Sequence, residues 1–230
     1  GDYHNAFTCV FSSTCCSMYS KTKTLSQLVE DIEQAYEEFE PHGVNRQIAL
    51  ICPIWQSLLN LMGSEQAHPA GLEDGDAMEK FRALIPADEE ELDQWVCGLK
   101  CHLCYFFDHW SFIEDNFDEC ENFTFTKLCV SPVLSPHGLM MLALSALRMY
   151  SRTGQRRYAQ CAKRAEKRLS KLDGCGCPNA ACPLLIVRTE FARVVKTNKS
   201  TTQMLEQQFL EALRMAKESS WFEHYIILEK

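Results

Sequence analysis

Thirteen cysteines in 230 residues are the first feature with chemical consequences. Cys175, Cys177 and Cys182 stand in the loop GCGCPNAAC, whose glycines would let the backbone wrap three thiolates around an ion. A closed structural zinc site takes four ligands, and no fourth lies nearby in sequence. The first reading of this segment is therefore an ordinary loop, with metal binding or a redox-sensitive thiol pair as the alternatives. Cys97, Cys101, Cys104 and His102 also supply ligand types, including a two-residue gap between Cys101 and Cys104. On one continuous helix, the three cysteines fall in an apolar stripe and His102 points elsewhere, which favours core packing over zinc.

The remaining reactive groupings read as structural. Asp108, His109 and Ser111 are close in sequence, but a nucleophilic relay needs spatial arrangement, and a turn between helices accounts for all three. Asp88, Glu89, Glu90 and Glu91 suit a helix start, where the macrodipole favours negative charge, better than a general acid and base. No Walker-type glycine loop, dinucleotide fingerprint or kinase catalytic motif occurs. The sequence nominates no catalytic residue, no cofactor-binding residue and no cofactor. Of the two cysteine groups, Cys175, Cys177 and Cys182 are the candidates retained as metal ligands.

The formal net charge of −8 opposes binding to a phosphate backbone or an anionic membrane. One local run is basic: Arg148, Arg152, Arg156, Arg157, Lys163, Arg164, Lys167 and Arg168. At helical spacing it reads first as a solvated face. No stretch is long and apolar enough to span a bilayer, and Gly1-Asp2-Tyr3-His4 does not begin a signal peptide. The odd cysteine count and the apolar company of Cys9, Cys16, Cys52, Cys97, Cys101, Cys104 and Cys161 point to free, buried thiols in a reducing, cytoplasmic setting. The missing initiator Met suggests a segment of a longer chain.

These residues must be positioned by helices. With 46% hydrophobic residues, ten Gly and eight Pro, the chain can bury a sizeable core. Leu25, Leu28, Ile32, Ala35, Tyr36 and Phe39 form one stripe behind Thr24 as N-cap, with Pro41 and Gly43 as the stop. A second helix is predicted over 45–62, with Pro53 displacing its start or kinking it. Residues 63–76 read as a long connection, followed by a short helix over 77–84. Further helices are predicted after residue 88, over 111–123, over 138–150, and over 182–196 and 201–219. A last helical pattern covers 221–228. Gly154 joins two antiparallel helices in which Ala143, Ala146, Ala159, Ala162 and Ala165 permit close approach. No alternating run long enough for a strand is present.

The expected fold is all-α: stacked antiparallel helical hairpins forming a single tetratricopeptide-like α-α superhelix over 1–230. Its hairpins fall at 2–43, 45–86, 88–127, 136–172 and 182–220, with a partial helix over 221–230. Tyr150, Gly154 and Ala159 keep the separations of the aromatic, turn and small positions of that repeat. A more degenerate turn surrounds Phe107, Asp108, Trp110 and Ile113. Trp55 to Gly63 (WQSLLNLMG), the following loop ending in Asp74-Gly75-Asp76-Ala77-Met78, Leu103 to Phe117 and Glu211 to Glu229 carry a broader likeness. Together they resemble the tetratricopeptide-like helical region of large multidomain signal-transduction ATPases. Tyr225, Ile226 and the Cys175 loop depart from that pattern.

The resemblance implies a non-catalytic protein–protein interaction and signal-coupling scaffold. Kinase-like and AAA ATPase domains would lie before it, and GAF, histidine kinase or nucleotide cyclase domains after it. Its partners would be proteins, peptides or neighbouring domains of the same chain, with neither nucleic acid nor membrane. The alternatives are a metal-binding or redox-sensing helical domain built on Cys175, Cys177 and Cys182, or an enzyme with a helical pocket.

Overall fold

The computed structural model describes residues 2–19, 23–63, 71–72, 75–84, 90–128, 134–195 and 202–218. Among them the chain is all-helical: ten α-helices and one 3-10 turn, with no strand. They are α1 (Tyr3–Tyr19), α2 (Leu25–Phe39), α3 (Asn45–Leu61), α4 (Asp76–Leu84), α5 (Glu90–Phe106), α6 (Trp110–Thr126), α7 (Ser135–Thr153), α8 (Arg156–Gly174), α9 (Ala181–Val195) and α10 (Thr202–Glu218). They group into two compact units, residues 1–116 and 117–230, the division falling within α6. The patterns expected around residues 64–70, 85–89 and 221–228 lie outside the described residues.

In the first unit, α2 starts where its sequence says it should. The Thr24 hydroxyl accepts from the Gln27 amide at 3.2 Å, and the Gln27 side chain accepts from the Thr24 amide at 2.9 Å, a reciprocal capping box. The helix ends at Phe39 and a 3-10 turn, Glu40–His42, leads to Gly43 at φ +69°. Its apolar stripe, Leu28, Val29, Ile32, Ala35 and Phe39, is buried, while Glu30, Glu33 and Glu37 are exposed.

The central element of this unit is α3, which packs against α1, α2, α4 and α5. It starts at Asn45, so Pro53 does not displace it, and the helix runs through Pro53 unbroken. The Ser57 hydroxyl donates to the Pro53 carbonyl at 2.7 Å. Because neighbours surround α3, several of its polar groups find local partners, although Trp55 Nε1 and Gln56 Oε1 are buried without one among the described residues. Gln56 Nε2 donates to Asn60 Oδ1 at 3.0 Å, Asn60 donates to the Gly71 carbonyl, and Trp95 Nε1 donates to the Leu50 carbonyl at 3.0 Å. Lys80 fastens α4 by lying over two rings, 4.4 Å from the centroid of Tyr36 and 4.6 Å from that of Trp55. Gly75, just before α4, has φ +133°, a conformation that favours glycine, and a Cβ there would also crowd the Gln56 side chain.

The second unit is organised around α7, buried along almost its whole length from Ser135 to Met149 and packed against α8 and α9. The turn from α7 to α8 is the one predicted: Gly154 adopts φ +69° and its amide donates to the Tyr150 carbonyl at 2.8 Å. α8 buries Tyr158, Cys161, Ala162, Ala165 and Leu169, a single stripe in which small residues bring the helices close. Tyr158 is fully buried and meets Phe117 edge to face, with ring centroids 4.8 Å apart. α9 packs against α7, α8 and α10.

Candidate functional site on the outer face of α8

The cysteine loop does not assemble a ligand set. Cys175 is exposed, Cys177 half-buried and Cys182 buried. The three sulfurs are not grouped within 4.8 Å of one another. The reason is local: Cys182 lies in the first turn of α9, where its thiol donates to the Ala212 carbonyl of α10 at 3.8 Å, and burial pushes it up to about 12. It is therefore held as a neutral packing group, turned toward α10.

Of the second set of candidates, Cys97 and Cys101 come together with Cys120, their buried sulfurs all within 4.8 Å of one another, whereas Cys104 and His102 stand outside that group. Cys97, Cys101 and Cys104 are buried on α5 with Leu99 and Leu103, and His102 is half-buried. Burial pushes the Cys104 thiol up to about 11, against the opposing pull of the Lys100 ammonium. Burial also pushes the Cys52 thiol up to about 12, with Lys80 as the leading opposing charge. The expectation of free thiols is corrected at Cys101, and it fails also at Cys120: both sulfurs are disulfide-bonded, and so are not available as thiolate ligands. A stripe of apolar spacing shows that a cysteine is buried, not whether it is oxidised.

Asp108 and His109 are exposed in the turn between α5 and α6 and Ser111 is exposed in the first turn of α6; Asp108 has φ +60° and the His109 amide donates to the Cys104 carbonyl at 2.9 Å. Asp88 and Glu89 lie outside the described residues. Of the aromatic residues, Trp110 and Phe117 are core, Trp95, Tyr105, Phe106 and Phe107 are half-buried, and Trp221 lies outside the described residues.

What the fold does assemble is charge. Between residues 148 and 171 nine Lys and Arg residues face a single acid, Glu166. The net charge of −8 also conceals a division: residues 1–116 hold six Lys and Arg against twenty Asp and Glu, whereas 117–230 hold seventeen against eleven. The first unit is thus at −14 and the second at +6. The basic run was visible in the sequence; the division, and Lys171 as its continuation, are found only by counting charge along the chain.

α8 sorts these cations by its helical geometry. On its flanks, Arg157 pairs with Asp118 at 3.2 Å and donates to the Tyr158 hydroxyl at 2.7 Å. Arg164 pairs with Glu121 and lies over the Phe125 ring, 5.3 Å from its centroid. Glu166 receives Arg188 of α9 at 2.9 Å. Diametrically opposite the buried stripe, Arg156, Gln160, Lys163, Lys167 and Lys171 line up along about 22 Å of helix, with Arg168 beside them. All six are exposed, and none of the cations among them forms an ion pair among the described residues. Gln160, Lys163, Arg164 and Lys167 line a shallow depression of about 620 Å3. Such an array makes the outer face of α8 locally electropositive.

No protein-family model, curated protein or solved structure matches this chain. Among the described residues, no helix is long and apolar enough to cross a membrane.

Proposed function

We propose that this chain is a non-catalytic protein–protein interaction and signal-coupling scaffold, with stacked hairpins continuing into a tetratricopeptide-like superhelix. The observation that carries this reading is the construction of the second unit. A hairpin with its turn glycine in the left-handed region is buttressed by a third helix, and its outer helix presents a continuous, exposed row of cations. Helices that cover each other's apolar faces leave their outer surfaces for recognition. The likeness to the helical region of signal-transduction ATPases gives this scaffold its context, between an upstream nucleotide-driven switch and a downstream output domain in the cytoplasm. Coupling then requires that a partner bind two arrangements of the scaffold with different affinity.

The test is direct. The purified chain is incubated with ATP and GTP under conditions that detect slow turnover, and no hydrolysis is expected. Hydrolysis above the buffer rate that a single substitution abolishes would overturn the non-catalytic reading. In the parent protein, deletion of residues 135–195 is expected to uncouple the output from the upstream domain; output regulated as before would overturn the coupling role.

A further inference from the structure

The cations on α8 have a counterpart elsewhere in the same sequence. On α2, Glu30, Glu33 and Glu37 are exposed, lie on the side opposite its buried stripe, and form no ion pair among the described residues. Their spacing of three and then four residues spans about 10 Å; Lys163, Lys167 and Lys171 span about 12 Å. Two antiparallel or parallel rods carrying opposite charge at one helical pitch can align several pairs at once, which a scattered distribution of the same charges cannot do. The surrounding fields agree in sign with the stripes, since α2 belongs to the unit at −14 and α8 to the unit at +6.

We propose that the outer face of α8 is the docking surface for the acidic face of α2 in a second copy of this chain. Other anions fit less well. A single-stranded nucleic acid uses aromatic residues interleaved with its cations, and the α8 stripe has none; its aromatic residue, Tyr158, is fully buried. An anionic membrane is held by apolar side chains beside the basic ones, and the stripe of Arg156, Gln160, Lys163, Lys167 and Lys171 has no such neighbour on its own face. The proposal is independent of the scaffold reading, because self-association can occur in a protein of any function.

Contacts made of exposed ion pairs are individually weak, so the dissociation constant at low ionic strength is expected on the order of 0.1–1 mM. Sedimentation of the wild-type chain at up to about 0.5 mM is therefore compared at about 20 mM and about 500 mM salt, concentrations that change the screening length several-fold. A weight-average mass rising above the 26.4 kDa monomer at low salt, and returning to it at high salt, is expected. Lys163→Glu/Lys167→Glu and Glu33→Lys/Glu37→Lys should each weaken association by about tenfold or more. An equimolar mixture of the two should restore it, because each reversed stripe then meets its complement. Arg82→Glu/Lys127→Glu, with the same net charge as the first variant, should associate like wild type. Circular dichroism confirms that every variant is folded.

A monomer at all concentrations and salts would overturn the proposal. So would failure of the mixture to restore what the separate variants lose. Binding of heparin, as a probe polyanion, to the α8 stripe of a strictly monomeric chain would also overturn it and assign the face to linear polyanions.

Discussion

The stability of the second unit rests on Tyr158 more than on any other α8 side chain, and substituting it tests the packing that displays the basic face. The residue is fully buried, its ring stands perpendicular to that of Phe117 at 4.8 Å, and its hydroxyl accepts from Arg157 at 2.7 Å. Truncating a large buried aromatic residue to alanine costs about 3–5 kcal/mol, since the lost transfer free energy is joined by that of the cavity left between packed helices. Tyr158→Phe removes only the hydrogen bond, and Arg157 is exposed enough to turn to water instead, so about 0.5–1 kcal/mol is expected. A double-mutant cycle with Phe117→Ala should give a coupling of about 0.5–1.5 kcal/mol for the edge-to-face pair. Trp55, Trp95 and Trp110 lie in the first unit and Trp221 lies outside the described residues, so tryptophan fluorescence does not report on α8 specifically. Hydrogen exchange of the α8 amides, read by mass spectrometry with urea as the perturbant, measures opening where the substitution acts. Loss of less than about 1 kcal/mol in Tyr158→Ala, or equal effects of Ala and Phe, would refute the packing argument.

Two further outcomes follow from backbone and burial. Gly154 has φ +69° with open space where a Cβ would stand, so Gly154→Ala should destabilise by about 1 kcal/mol through backbone conformation alone. Gly174→Ala, inside the last turn of α8 with ordinary φ and open space, should be neutral or stabilising by about 0.5 kcal/mol in the same urea titration; the opposite order would contradict the turn assignment. His137 is buried in the first turn of α7, and burial pushes its imidazole down to about 3. Between about pH 6.5 and 3 the unfolded chain takes up a proton that the native imidazole refuses. Stability should fall with acid across that window, by up to about 1.4 kcal/mol per pH unit. His137→Leu should flatten this acid limb, and an unchanged slope would show that other groups set it.

Much of this architecture is written in local chemistry. Thr24 followed by Gln27 is a capping pair whose geometry depends on four consecutive residues, so it can be read without knowing the fold. Gly154 is similar: after a long apolar helix, a single residue tolerant of the left-handed region is the natural stop, and the structure puts the turn there. Pro53 was harder, because its effect is decided by context. Its ring removes one amide donor, but α3 is gripped by four neighbouring helices, and the helix persists. The chemistry of the cysteines was the least legible part. Whether Cys182 faces a loop or a neighbouring helix depends on α10, thirty residues further on, and whether Cys101 is a thiol or half of a disulfide is not encoded by periodicity at all.

Net charge is a coarse guide for a related reason. A total of −8 describes the field seen from far away, yet at physiological ionic strength charges are screened beyond about 8 Å, a distance much shorter than α8 itself. An approaching partner therefore responds to the charge within one or two helical turns of the point of contact. On α8 that local charge is strongly positive, because the only acid between residues 148 and 171, Glu166, is engaged by Arg188, while Asp118 and Glu121 neutralise the flanks and leave the crest untouched. The same reasoning applied to α2 gives the opposite sign from residues that are no more numerous. A chain that repels anions on average thus carries one helix that attracts them and another that attracts cations. Under the proposed docking, recognition is set by these two helical faces, since the sum over the sequence is a quantity that no bound partner experiences.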